Sequence, residues 1–253
     1  MTDHALKGSV ALVTGASSGI GRATARRLAA SGASVAIVAR RADRLEELAD
    51  ELRTSGTTVL TVTADLVDRA AARATVEQAV AELGRLDAVV NAAGLMLNGP
   101  TGELTLDDWD RMVDINLRGL LNVTKPALPH LLAAAEDGPR QVSDLVNISS
   151  VAGRFAAAPT AGYNATKFGV TALSEALRQE YAGQHLRVSV IEPGRVDTEL
   201  FDHRDRAAED FAAVFGQIQP LQPEDVAAAI GYIITNPRHV AVNEIVIRPT
   251  EQA

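Results

Sequence analysis

Tyr163 and Lys167 stand four residues apart. On a helix, that spacing puts a phenol and an ammonium on one face. A phenol ordinarily titrates near about 10, and a neighbouring positive charge favours its ionised form. The spacing therefore predicts a lowered Tyr163 pKa and acid–base work at neutral pH. A solvated surface pair is the alternative that these two residues alone leave open. Ser149-Ser150, at the end of an expected strand upstream, adds a hydroxyl at the same site.

A second constellation is Thr14-Gly15-Ala16-Ser17-Ser18-Gly19-Ile20-Gly21. The apolar run Val10 to Val13 leads in, and a helical pattern from Arg22 to Ala30 leads out. Three glycines at a strand-to-helix turn allow a tight bend, close approach of an anion, and close helix packing. The free N–H groups of the following helix face that anion. The reading is a dinucleotide pyrophosphate site on a Rossmann-type sheet, and a ligand-free glycine turn is the alternative.

The elements that position these residues follow from alternation. Apolar or β-branched runs at Ser34 to Ala39, Thr58 to Thr63, Leu86 to Val90, Val142 to Ile148, Leu186 to Ile191 and Glu244 to Ile247 read as further strands. Helical patterns separate them: Asp43 to Arg53, Asp68 to Leu83, Thr105 to about Ala135, Gly162 to Tyr181, and a helix opening at Pro223. This pattern predicts an α/β fold, a doubly wound seven-stranded parallel sheet with helices on both faces, as one Rossmann domain over 1–253. Pro126 and Pro129 predict a kink or break in the long central helix. Arg195 to Gln219 reads as an irregular lid with a short helix around Ala207 to Phe215. Open sheets of this kind bind ligands at the carboxyl ends of their strands. The Gly turn, Arg40, Asp65, Asn91, Ser150 and the segment after Pro193 all fall there.

Composition narrows the function. The 253 residues carry a formal charge of −8 with no basic tract, which argues against nucleic acid. There is no cysteine, which removes disulfides and thiolate chemistry and fits a cytoplasmic setting. No leader pattern and no membrane-length apolar run is visible. The five histidines show no metal spacing. Asp107, Asp108 and Asp110 read as a solvated helix start, and Trp109 as packing.

Together these residues resemble the classical short-chain dehydrogenase/reductase family. The likeness rests on Gly19-Ile20-Gly21, Asp65, Asn91-Ala92-Ala93-Gly94, Asn116, Ser149-Ser150, Tyr163-Asn164-Ala165-Thr166-Lys167 and Pro193-Gly194-Arg195-Val196-Asp197-Thr198. Ala92 departs from the family's usual asparagine. Within the family the chain is most similar to clavulanate dehydrogenase-like reductases, on Ile191 to Gly194, Asp197 to Leu200 and Glu244 to Thr250.

The resemblance implies an oxidoreductase interconverting a ketone or aldehyde and an alcohol. It assigns proton transfer to Tyr163, tuning and ribose binding to Lys167, and a hydrogen bond to the reacting oxygen to Ser150 rather than Ser149. Asn116 would anchor a water linking Lys167 to solvent. Gly15, Ser17, Ser18, Gly19, Ile20, Gly21, Asn91, Ala92, Ala93, Gly94, Pro193 and Gly194 would hold the cofactor. Asp65 and Leu66 would face its adenine, and Val196 and Thr198 its carboxamide. Asp65 as a helix N-cap is the alternative. Leu95, Met96, Phe155, Arg195 and Phe201 would line a mostly apolar substrate pocket.

Cofactor choice is expected at the end of the second strand. Enzymes for NAD place a carboxylate there. Here the family's acid position is Ala39, followed by Arg40 and Arg41. Arg40 is expected to grip the 2′-phosphate, with Arg41 adding positive potential or lying over the adenine, because cations are disfavoured at a helix N-terminus without such a cause. The expected cofactor is NADP(H), and the expected assembly is a homotetramer or homodimer. A same-fold epimerase or dehydratase, and a non-catalytic dinucleotide sensor, are the competing functions.

Overall fold

The computed structural model describes residues 4–201, with the Phe201 side chain excepted, and 218–252. All seven strands join one parallel sheet, in the order β3-β2-β1-β4-β5-β6-β7. The strands are β1 Val10–Thr14, β2 Ser34–Ala39, β3 Val59–Thr63, β4 Ala88–Asn91, β5 Ser143–Ile148, β6 Leu186–Pro193 and β7 Glu244–Ile247. The order reverses between β1 and β4, which opens a crevice at their carboxyl ends. The central strands are buried on both faces, which explains why they read as continuous apolar runs.

Side-chain alternation sorts each strand between two cores. Ala11 and Val13 of β1, with Val35 and Ile37 of β2, pack on one face. That face is covered by α1 (Gly19–Ala30), α2 (Ala42–Thr54) and α7 (Pro223–Thr235). Leu12, Ala36 and Val38 point to the other face, under α3 (Arg69–Leu83) and α5 (Gly119–Asp137), with Leu177 and Tyr181 of α6 (Ala161–Tyr181) at its edge. Asp68 caps α3 by accepting from Ala70 N and Ala71 N at 2.7 and 3.1 Å, and Gly84 ends it at φ 85°. Thr105 and Asp108 form a capping box at α4 (Leu106–Val113).

The expected break at Pro126 and Pro129 does not occur: α5 runs through both. Both prolines lie away from the core, where the carbonyls they free can tilt toward water. Val123, Ala127, Leu131 and Ala134 on the opposite side stay buried and pin the helix to the core. The irregularity sits earlier, in a π-helical turn at Asp114–Arg118. The short helix expected around Ala207 to Phe215 lies outside the described residues. Among those described, the two ends of the Arg195 to Gln219 region and its flank are tied. Leu221 N donates to Arg195 O at 3.0 Å and Asp197 N to Leu221 O at 2.8 Å. No helix among the described residues is long and apolar enough to cross a membrane.

Candidate active site

One cavity of about 420 Å³ runs across the carboxyl ends of the strands. Every residue expected to touch cofactor or substrate lines it, apart from Phe201, whose side chain lies outside the described residues. Its floor is bare backbone. Gly15 has φ +65°, and a Cβ there would stand 2.8 Å from Ala93 N. Gly21 packs on the carbonyl of Gly15 with no room for a side chain. Such a floor, ending at the N-terminus of α1, suits a pyrophosphate.

Thr14, to which the sequence reading gave no role of its own, fixes this floor. Its Oγ1 accepts from Ala92 N and Ala93 N at 3.0 and 3.2 Å, joining β1 to the loop after β4. The loop is thereby held through backbone, whatever the side chain at Ala92. Asn91 lines the cavity but turns its amide inward, donating to Asn147 Oδ1 at 2.9 Å and Thr124 Oγ1 at 3.1 Å. Asp65 accepts from Val67 N at 3.0 Å, a local turn. The helix cap is Asp68 instead.

The reactive end is built from β5 and α6. Ser149 faces away: its Oγ meets Thr171 Oγ1 at 2.8 Å and donates to Lys167 O at 3.1 Å. Ser150 faces the cavity, accepts from Ala152 N at 3.1 Å, donates to Pro193 O at 3.4 Å and stands beside Tyr163, whose phenol it draws toward the ionised form. Tyr163 and Lys167 are both buried on the first turns of α6. Lys167 Nζ lies 5.6 Å from the Tyr163 ring centre and donates to Ile148 O at 2.8 Å.

The expected lowering of the Tyr163 pKa is not what this site produces. Burial pushes Tyr163 up to about 12, and Ser150 beside it draws it only partway back. Burial likewise pushes Lys167 down to about 8. Desolvation penalises both charged forms, and an ammonium more than 5 Å from the ring does not offset it. Tyr163 is thus held protonated, as a proton donor.

Asn116 stands on the π-turn, where such irregularities often mark function. It clamps the backbone of Leu95 by accepting from its N at 2.7 Å and donating to its O at 2.8 Å. It also donates to Thr166 Oγ1 at 3.1 Å. It therefore lies behind the cavity wall rather than in it. Leu95 and Met96 join Tyr163, Met112 and the half-buried Trp109 in an apolar cluster. Two further residues had no role assigned from the sequence. Asn164 donates to Ala152 O at 2.7 Å and Phe155 O at 3.1 Å, shaping the loop that carries Phe155. Gln252 accepts from Arg195 N at 2.8 Å and closes the wall beside Gly194.

At the far end, Arg41 rather than Arg40 reaches the glycine turn. Its Nε and Nη2 donate to Ser17 Oγ at 3.1 and 3.0 Å, and Nη2 also to Ser18 Oγ at 2.7 Å. Arg40 is exposed at the rim.

Sheet order, glycine floor and the Ser150–Tyr163–Lys167 corner together define a dinucleotide-binding fold of the Rossmann class. The family model described as short chain dehydrogenase matches residues 9–209, and the chain belongs to that family. It is an oxidoreductase. It is 43% identical over 252 residues to "Glycine betaine reductase ATRR" of Emericella nidulans, covering 98% of this chain but only 19% of that protein. It is 38% identical to "Sulfoacetaldehyde reductase 2" of Chromohalobacter salexigens, covering 96% of this chain and 95% of that one. Among solved structures, a serine dehydrogenase in closed form complexed with NADP+ has a TM-score of 0.86 at 34% identity, with 96% of each chain covered. Solved neighbours include complexes with NADP+ and with NADH.

Proposed function

We propose that the protein is an NADP(H)-dependent reductase that interconverts a ketone or aldehyde and the corresponding alcohol. The observation that carries this reading is the gathering of Ser150 with the buried Tyr163 and Lys167 in the cavity that the glycine turn floors. A bound nicotinamide supplies or accepts the hydride. Tyr163 gives its proton to the carbonyl oxygen in reduction and recovers it in oxidation. Ser150 donates a hydrogen bond to the same oxygen as charge develops there. Lys167 holds the ribose hydroxyls, and Val196 and Thr198 meet the carboxamide. Ala39 in place of an acid, with Arg40 and Arg41 beside it, supports NADP(H) over NAD(H). The NADP-bound neighbour supports the same choice, and the named reductases support the reductive direction. Leu121, Phe168, Tyr232 and Val246 are exposed apolar side chains on α5, α6, α7 and β7, and they support a homotetramer.

The test is cofactor oxidation over a panel of aldehydes and ketones, with wild type and Tyr163→Phe. Turnover should appear with NADPH and fall about 10²–10⁴-fold in the variant, which should bind cofactor as before. A variant that turns over normally would falsify the assignment.

A further inference from the structure

The segment leaving β6 touches both ends of the cavity. Val196 and Thr198 line its wall, and a Cβ on Gly19 would stand 3.0 Å from Thr198 Cγ2. Leu200 packs on the apolar cluster that contains Tyr163, Leu95 and Met96. Between them, Glu199 crosses to the arginines. One carboxylate oxygen accepts from Arg41 Nη1 at 2.7 Å, and the other pairs with Arg44. Arg41 is the side chain that also grips Ser17 and Ser18 on the glycine turn.

An internal carboxylate is therefore docked on the guanidinium that stands nearest the anion-binding floor. Carboxylate and phosphate oxygens compete for the same planar fork of donors. The two arginines hold Glu199 at a pKa of about 2, so it is ionised throughout the working range. Arg41 and Glu199 are 40% and 42% exposed, so the pair can part without stranding a buried charge.

We propose that Glu199 is a built-in competitor of the cofactor's adenosine 2′-phosphate: it occupies Arg41 and Arg44 until that phosphate displaces it. The exchange links events at the adenosine end to the placement of Val196 to Leu200 at the reactive end. The 2′-phosphate rests on the NADP(H) reading above. A pyrophosphate carries the same chemistry, and the arms below separate the two.

Calorimetric titration of wild type and Glu199→Gln with NADP+, NAD+, 2′-AMP and 5′-AMP decides the matter. The variant should bind NADP+ and 2′-AMP about fivefold tighter, the effect of releasing one half-exposed ion pair, with NAD+ and 5′-AMP unchanged. In wild type, 2′-AMP should speed amide hydrogen exchange at Thr198 to Leu200. Equal tightening for NADP+, NAD+ and 5′-AMP, with 2′-AMP unchanged, would overturn the 2′-phosphate and make the pyrophosphate the displacing group. Unchanged or weaker binding of every ligand would overturn the competitor altogether and leave Glu199 a structural ion pair. The wild-type ratio of NADP+ to NAD+ affinity tests the cofactor reading by itself, since it does not involve the variant.

Discussion

Lys167 is the residue whose charge the fold makes most sensitive to pH. Its folded pKa of about 8 lies below the ordinary 10.5. The unfolded chain keeps its proton over that interval, so it binds more protons than the folded protein. Stability from this group therefore rises as pH climbs from about 8 to 10.5, and below 8 the buried ammonium is a standing cost. Cofactor affinity should move the opposite way, because ribose binding uses the ammonium. Dissociation constants measured from pH 6 to 10 should rise through about 8 in wild type and stay flat in Lys167→Met. A flat wild-type profile would remove Lys167 from cofactor binding. Arg41 makes a second prediction. A charge-assisted contact is worth roughly 1.5–3 kcal/mol, so Arg41→Gln should weaken NADPH at least tenfold and NADH little. Arg40→Gln, at the exposed rim, should have the smaller effect; the reverse order in measured kcat/KM would restore Arg40 as the phosphate reader.

At the scale of elements, the π-turn at Asp114–Arg118 sets the position of Asn116, and Asn116 sets the wall at Leu95. Asn116→Ala strands a buried backbone N–H and C=O, each costing about 1–3 kcal/mol. Thermal melting should therefore drop by about 5 °C or more, and kcat should fall with it. A variant with unchanged melting would show that the loop carries itself. Strands were legible because burial on both faces writes a continuous apolar run, as in Val35 to Val38, and helices because caps such as Asp68 and Thr105 mark their starts. The π-turn was not legible. Nothing local in Asp114-Ile115-Asn116-Leu117-Arg118 distinguishes it from α-helix, and the backbone that Asn116 clamps from it lies 21 residues away. Pro126 and Pro129 brought no break for a like reason: packing on one side keeps the helix continuous. Tyr163 misled because burial, a property of the whole site, outweighed a neighbour read from spacing.

At the scale of the molecule, the residues lining the cavity come from nearly every loop at one end of the sheet, and topology alone predicts that gathering. What it does not predict is the side chain that stands nearest each end. Arg41 instead of Arg40, Thr14 under the floor and Gln252 in the wall each depend on contacts between residues far apart in sequence. The exposed Tyr232 on α7 and Val246 on the edge strand β7 lie on elements remote from Leu121 and Phe168 on α5 and α6. Two separate apolar faces on one copy are what a dihedral tetramer needs. Light scattering should give four times 26.6 kDa, and the double variant Tyr232→Arg, Val246→Lys should give dimers. A wild-type monomer would end that reading.

The hydrogen bonds between Leu221 and the Arg195–Asp197 stretch close a neck on the chain. Once a neck is shut, the length of what it encloses matters little, since doubling a loop adds only about 0.6 kcal/mol of closure entropy. The neck also stands at the cavity wall, beside Val196 and Gln252. That makes it a splice point. Exchanging residues 201–220, with Val196 to Leu200 kept in place, should change substrate preference, read as a changed order of kcat/KM over the carbonyl panel. The sheet, the glycine floor and the proton donor would pass through such an exchange untouched.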